Sequence, residues 1–366
     1  MSEASGVLIE RQFPCSKCGA KLHFAPGTDA LVCPYCGTRN EIPESPAEIP
    51  LLDYQLYAEQ KESAELRETL LVKCGACGAQ SKLAENVIAS RCPFCGSPLV
   101  AEQHSKKLIK PGAVLPFIVS KPAAQKLFHG WISELWFAPG GLAKQAEQSG
   151  IDGAYVPAWL YYADTISNYF GQRGIDYTVM ETYTTTDAEG HTVTIQRPVT
   201  RTNWTAASGT VAAQFGDLLV LATQSLPKKQ AEHLEPWDLQ HLKPYADEYL
   251  SGMFAQSYEI DLPSGFDIAK QLMDPRIRMM ICHQIGGDHQ VINSMQTEYD
   301  NVQFRHVLLP LWISAYRYQG RTFRFLINAR TGEVQGERPY SALKIAILVI
   351  FLLAILAIVL VAINSR

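Results

Sequence analysis

Eight of the nine cysteines stand in four Cys-x-x-Cys pairs: Cys15 and Cys18, Cys33 and Cys36, Cys74 and Cys77, Cys92 and Cys95. Fourteen residues separate the two pairs in each half, and the second half repeats the first at an offset of 59 residues. A Cys-x-x-Cys turn points two thiolates at one ion, and two such turns complete a tetrahedral site. Glycine follows every pair, at Gly19, Gly37, Gly78 and Gly96, where a left-handed backbone lets amide groups approach the sulfurs. Pro34 and Pro93 lie inside the second pair of each half (CPYCG and CPFCG), as in zinc-ribbon knuckles. The pattern predicts two zinc ions, one on Cys15, Cys18, Cys33 and Cys36, the other on Cys74, Cys77, Cys92 and Cys95. Iron is compatible with the same four-thiolate sets. Disulfides are disfavoured in a reducing cytoplasm, and a redox thiol pair usually stands alone in a βαβ pattern, which is missing. With every ligand a protein thiolate, no position is open to a substrate or an activated water, so both sites are expected to be structural.

Other chemistry finds little support. The sequence contains no Gly-x-x-x-x-Gly-Lys-Ser/Thr phosphate loop, no His-Glu-x-x-His, no Gly-x-Ser-x-Gly and no paired dinucleotide glycines. Cys282-His283 followed by Gly286-Gly287-Asp288-His289 holds the residue types of a nucleophile, a base and its orienter. Neighbours in sequence point different ways in regular structure, and the cluster is expected to be a helix or strand end with a Gly-Gly turn. Glu181, Asp187, Glu189 and His191 fall at a hairpin tip, where solvated polar residues belong. Tyr155, Trp159, Tyr161, Tyr162, Tyr169 and Phe170 could line a ligand groove, but a half-buried sheet uses such residues as core. No catalytic residue is expected.

The elements that position these residues follow from periodicity and punctuation. Residues 1–10 read as a tail, 11–43 as the first ribbon, 44–71 as a Pro-rich linker and helix, and 72–100 as the second ribbon. The helix is expected over Leu51–Leu71, where apolar positions recur at helical spacing without Gly or Pro. Residues 101–113 form a basic linker with Lys106, Lys107 and Lys110. From 114 to 340 the chain is richer in aromatic and β-branched residues, and a mixed α+β domain is expected. Ser120-Lys121-Pro122 opens a helix running to about Trp136. Further helical patterns fall at Pro236–Glu248 and Ser264–Gln284. Strand patterns cover Tyr155–Tyr169, a hairpin Tyr177–Trp204 turned at residues 187–190, and a hairpin of Leu308–Tyr318 with Thr322–Asn328. Val156-Pro157-Ala158-Trp159 and Leu309-Pro310-Leu311-Trp312 echo each other, each expected to open a strand, and hint at a duplication.

Length and charge set the remaining bounds. The chain has 366 residues, 47% of them hydrophobic and 19% charged, with a formal net charge of −4. A sizeable core is available, and nothing global attracts nucleic acid. Residues 1–100 carry nine basic and twelve acidic side chains, and a dication in each thiolate set adds a formal −2, giving about −7. Protein binding is therefore expected of the ribbons ahead of nucleic-acid binding, which needs a basic surface. From Ile345 to Ile363 no side chain is polar, a run suited to a bilayer. A membrane anchor is expected over 341–366, the alternative being a buried core helix. The first residues lack the charged, then apolar, then small-residue pattern of a signal sequence, and the body is expected not to be exported. Seven basic residues (Arg305, Arg317, Arg321, Arg324, Arg330, Arg338, Lys344) face two acidic ones, Glu333 and Glu337, ahead of the span. That excess predicts a cytoplasmic body and a single-pass C-terminal anchor.

The chain resembles a family of bacterial and archaeal tail-anchored double zinc-ribbon membrane proteins, whose members occur alongside flotillin-like (SPFH-domain) and phage-shock-type stress proteins. The likeness rests on the two ribbons, on YVPAWLYYADT from Tyr155 to Thr165, on the segment from His306 to Pro339, and on the terminal span. The resemblance implies a non-enzymatic membrane adaptor or scaffold, with flotillin-like or phage-shock-type proteins as partners. Relatives of this kind are often labelled primosomal helicase-like, and the missing phosphate loop argues against that activity. Two other functions remain in view: a membrane-tethered nucleic-acid-binding regulator, and an enzyme using residues 114–340.

Overall fold

A computed structural model describes residues 13–43, 48–59, 66–82, 89–100, 103–139, 142, 150–186, 190–319 and 321–364. The tail at residues 1–10 and the turn residues Asp187 and Glu189 lie outside them. The protein is mixed α+β. Among the described residues the first elements are β1 (His23–Phe24), β2 (Ala30–Val32) and β3 (Arg39–Glu41), a small antiparallel sheet whose β1 and β2 lie between the first two cysteine pairs and whose β3 follows the second. Then come β4 (Leu52–Asp53), α1 (Tyr54–Glu59), β5 (Leu66–Lys73), β6 (Gln80–Lys82), β7 (Ala89–Arg91), β8 (Pro98–Val100), β9 (Gln103–Ile109) and β10 (Ala113–Val114). The body follows with α2 (Lys121–Ser133), β11 (Asp152–Thr186), β12 (Thr192–Leu221) and α3 (Lys228–Glu232). It continues through β13 (Lys243–Pro244), β14 (Phe254–Ala255), α4 (Leu262–Ile285), β15 (His289–Tyr318), β16 (Arg321–Asn328) and β17 (Val334–Gly336). The C-terminal helix is α5 (Ala342–Asn364).

Three long antiparallel strands, ordered β12-β11-β15, form the frame. Burial along β11 divides it into three zones. Ala154–Tyr161 is buried on both faces, which is why VPAWLY reads as a continuous apolar run instead of an alternating one. From Ala163 to Gly171 burial alternates: Ala163, Thr165, Ser167, Tyr169 and Gly171 face inward, and Ile166, Asn168 and Phe170 face out. Beyond Gly174, which pairs with both Trp204 and His289, β15 is absent and β11 runs on with β12 as a two-stranded arm. Its twelve remaining residues reach about 40 Å.

The inner face of the alternating zone is covered by α4. Leu262, Phe266, Ala269, Met273, Ile277, Ile281 and Ile285 form its buried stripe against Tyr161, Ala163, Tyr169, Val211 and Phe215. Asp261 caps the helix by accepting from the Ser264 amide, 2.9 Å. Gly265 lets it lie close to the sheet, since a Cβ there would sit 2.5 Å from Tyr161 Oη and 2.8 Å from Trp159 Cδ1. The strands bend where β12 and β15 each carry an extra residue, with residues 216 and 217 opposite Tyr162 and residues 301 and 302 opposite Ala163; Asp217 and Asn301 in these bulges have positive φ.

Of the candidate aromatic groove, Tyr155, Trp159, Tyr161 and Tyr169 are core, Tyr162 is half-buried, and Phe170 is exposed on the far face. Trp159 Nε1 donates to Ile260 O at 3.0 Å and Tyr161 Oη to Leu262 O at 2.7 Å. The two Pro-Trp echoes lie within their strands, side by side, with Tyr155 opposite Pro310 and Pro157 opposite Leu308. Their surroundings match. The Ala222 amide donates to Pro157 O and the Ala329 amide to Pro310 O. The amides of Glu259 and Ile260 donate to Ala222 O, as those of Ile118 and Val119 do to Ala329 O. Trp312 Nε1 donates to Val119 O as Trp159 Nε1 does to Ile260 O. Two helix-then-hairpin units thus cross over, each helix start docking on the other unit's tryptophan.

Several expected elements differ. The single helix over Leu51–Leu71 is instead the six-residue α1, capped by Asp53 Oδ1, and then strand β5. Pairing of β5 with β9, from Leu66 opposite Ile109 to Val72 opposite Gln103, overrides helix propensity there. The basic linker at 101–113 is therefore largely strand. Pro236–Glu248 is no helix but two 3-10 turns, Leu239–His241 and Asp247–Leu250, around β13, because Pro244 lacks the amide a helix would need. The helix at Ser120 forms as expected, with Ser120 accepting from the Ala123 amide at 3.4 Å, and ends at Ser133.

Every residue of Ala342–Ile363 is exposed. These 22 residues are long and apolar enough to cross a membrane, at about 33 Å, and the core-helix alternative is excluded. The basic flank is thinner than its sequence suggests. Arg305 donates to Tyr162 Oη, Arg324 to Ser225 O, and Arg330 pairs with Asp238.

Candidate metal centres

The four knuckles share one backbone. In each, the glycine amide donates to the first cysteine's carbonyl: Gly19 to Cys15, Gly37 to Cys33, Gly78 to Cys74 and Gly96 to Cys92, at 2.8–3.1 Å. The first cysteine's amide in turn donates to a carbonyl beyond the glycine, that of Ala20, Thr38, Ala79 or Ser97, and closes the loop. All four glycines have φ between 70° and 80°, a conformation that costs a side-chain-bearing residue about 1 kcal/mol or more. Antiparallel pairing brackets each knuckle: the Pro14–Lys21 bridge and β2 with β3 in the first set, β5 with β6 and β7 with β8 in the second.

The eight cysteines gather into two groups of four, each with all sulfurs within 4.8 Å of one another. Sγ atoms of Cys15 and Cys36 are 3.5 Å apart, as are those of Cys18 and Cys33. In the second group Cys74–Cys95 is 3.6 Å and Cys77–Cys92 is 3.7 Å. A disulfide needs about 2.0 Å, so these are free thiols. A tetrahedron with metal–sulfur bonds of about 2.3 Å has edges of about 3.8 Å, close to the observed spacing. The donor sets fit a tetrahedral metal ion bridging two knuckles, with all four positions filled by protein sulfur.

Within each set some thiols are drawn toward the thiolate and others away from it. The Thr38 hydroxyl, 3.1 Å from Cys36 Sγ, pulls that thiol down to about 6. A hydrogen bond from Cys92 pulls Cys77 down to about 5, while the same contact and burial push Cys92 up. Such pairs share protons, and a metal ion would displace them.

The two groups sit in different surroundings. The first packs on the body through Leu22, Phe24, Leu31 and Cys33 against Phe117, Tyr249 and Leu250. It is tied by the Phe24 amide to Ser251 O, 2.9 Å, and by the Lys243–Asp29 ion pair, 2.6 Å. The second is sunk into the body, with Cys74, Cys92, Phe94 and Cys95 in one cluster with Val156, Leu160, Leu309 and Leu311. The equivalent knuckle aromatics therefore diverge: Tyr35 is 84% exposed and Phe94 1%. Sequence spacing could not separate them, since both occupy the same place in Cys-Pro-x-Cys.

Among the described residues, the remaining candidates make structural contacts at the end of α4 and along the arm. Cys282 is half-buried on α4 and its carbonyl accepts from the Gly286 amide, 3.0 Å, closing the helix; His283 is exposed. Asp288 Oδ2 accepts from the Asp176 amide, 2.8 Å, and His289 Nε2 lies 3.0 Å from Asp176 Oδ2. These residues lock the base of the arm at the Gly286-Gly287 turn. Glu181 accepts from Tyr183 and Arg201 along the arm, and His191 is exposed near its tip.

Fold and site together define a mixed α+β protein with two four-thiol metal-site candidates near its N-terminus and a C-terminal helix able to span a bilayer. The chain is similar to the uncharacterized protein YdjG of Bacillus subtilis (strain 168), 26% identical over 335 residues that cover 91% of this chain and 92% of that protein. No family model and no solved structure matches it.

Proposed function

We propose that the protein is a membrane-anchored, cytoplasm-facing adaptor that uses a zinc ribbon to dock partner proteins at the membrane, without enzymatic activity. The observation that carries the anchor is the complete exposure of Ala342–Ile363 on a body that is otherwise well packed. Twenty-one exposed apolar residues, with Lys344 the one charged residue among them, would aggregate in water and are stable in lipid. Zinc is supported by the all-thiolate donor sets and their tetrahedral spacing. A non-catalytic body is supported by its filled aromatic interior, where Tyr155, Trp159 and Tyr161 occupy the space a ligand groove would need. Docking falls to the first ribbon, because Tyr35 is free to meet a partner and Phe94 is already used by the body. From the family resemblance, the partners are flotillin-like or phage-shock-type scaffold proteins; the acidic balance of residues 1–100 disfavours nucleic acid.

Carbonate washing of membranes tests the anchor. The full chain should stay with the membrane and a chain ending at Pro339 should be released. Protease added to intact spheroplasts should leave the body whole. Retention of the truncated chain, or digestion of the body from outside, would overturn the topology.

A further inference from the structure

The first turn of α5 is tied to a loop that precedes it by some 200 residues in sequence. Lys344 Nζ donates to Trp136 O at 3.2 Å and to Ala138 O at 2.8 Å, and the Ser341 amide donates to Phe137 O at 2.8 Å. Ser341 also starts the helix, its carbonyl accepting from the Ile345 amide at 3.1 Å. The loop at 134–139 is thereby fixed at the level where the apolar helix begins. At that level Trp136 is 83% exposed, with exposed Tyr340 and Leu343 nearby in the chain, and the Arg338 guanidinium lies 5.2 Å from the Tyr340 ring centroid. A large indole left bare beside a cationic turn has no role in the packing of the body. At the polar boundary of a bilayer the same group is favourable, because tryptophan and tyrosine settle at headgroup depth and lysine reaches back toward polar partners.

We infer that the loop at 134–139 is a second membrane contact, with Trp136 inserted among phospholipid headgroups beside the first turn of α5. This rests on the reading of α5 as a membrane span. The occupant is the lipid of the bilayer that α5 crosses, because the three hydrogen bonds place loop and helix start at one height. The consequence is orientational: a single helix lets a body swivel, whereas a helix and an inserted indole on α2's end hold the α2 side, and the first ribbon packed near it, at a set angle to the membrane.

The test uses the full chain in phosphatidylcholine vesicles, with and without dibrominated phosphatidylcholine, whose bromines quench nearby tryptophan. Flotation is measured on the same samples. Trp136→Phe should float with the vesicles like the wild type but lose at least half of the bromine-dependent quenching. Trp204→Phe, which removes an exposed indole at the base of the arm, should leave quenching unchanged. If Trp136→Phe floats and is quenched as strongly as the wild type, the loop does not enter the lipid and this inference falls while the anchor stands. If the wild type does not float, the membrane span itself is wrong and the contact falls with it.

Discussion

Cys33 and Cys92 hold equivalent places in the two thiol sets, yet their loss should be felt differently. Either change to Ser should lower bound zinc from two ions per chain to one, read by elemental analysis of the purified protein. Both residues are buried in clusters that reach the central strands, but the Cys92 knuckle also buries Phe94 in the body, where the Cys33 knuckle leaves Tyr35 exposed. Cys92→Ser should therefore lower the thermal midpoint more than Cys33→Ser; equal drops would contradict the packing. Access differs too, since Cys18 is exposed while Cys74, Cys92 and Cys95 are all buried. A chelator added in excess should remove one ion quickly and the other slowly, and the fast phase should vanish in Cys33→Ser. The ion pair between Asp238 and Arg330 makes a prediction in acid. Arg330, only 5% exposed, holds Asp238 down to about 2 from 3.8. A depressed carboxylate stabilises the fold above its unfolded value and loses that contribution as pH falls toward the folded one, here between about pH 4 and pH 2, worth about 2 kcal/mol. Asp238→Asn should cost about that much in urea unfolding at neutral pH and flatten the loss over that acid range.

Elements were legible where local chemistry and tertiary demand agree. The capped start at Ser120 and the hairpin around Gln319 could be read directly, and so could the period of α4, because each is set by residues within one turn or one loop. Leu51–Leu71 and Pro236–Glu248 depart from their helical patterns for the opposite reason: partners distant in sequence, β9 for the first and β10 for the second, decide their conformation. The length of β11 was also hidden, since its apolar run, alternating run and polar arm look like separate strands when burial changes from two faces to one to none. That zoning predicts that residues 179–199 can be replaced by Asn-Gly, joining the paired Thr178 and Thr200, with little change in melting temperature, because the arm lies beyond α4's coverage. Gly265 marks the opposite extreme. Gly265→Val should push α4 off Trp159 and Tyr161 and cost about 1–3 kcal/mol, seen as a lower urea midpoint; an unchanged midpoint would mean the helix does not press on the sheet as described.

At the scale of the whole molecule, repetition and polarity organise everything. The eight cysteines announce their pairing through spacing alone, and the apolar tail announces its helix, so both ends of the protein were readable. The crossed units around Pro157 and Pro310 were only hinted at by two tetrapeptides, because the hydrogen bonds that make them equivalent run to Ala222, Ala329, Val119 and Ile260, which share no obvious pattern. The difference between the ribbons was invisible for a similar reason: it arises from what the body presents to each. From that difference comes the central claim, that the first ribbon's exposed knuckle docks a partner while α5 holds the protein at the membrane. The most direct measurement is affinity capture of the full chain from solubilised membranes, comparing wild type with Tyr35→Ala, with zinc content and melting temperature measured on both. The account predicts that Tyr35→Ala keeps two zinc ions and an unchanged melting temperature but loses the proteins that co-purify with wild type. An identical set of co-purifying proteins from the two would contradict it and move the docking surface elsewhere.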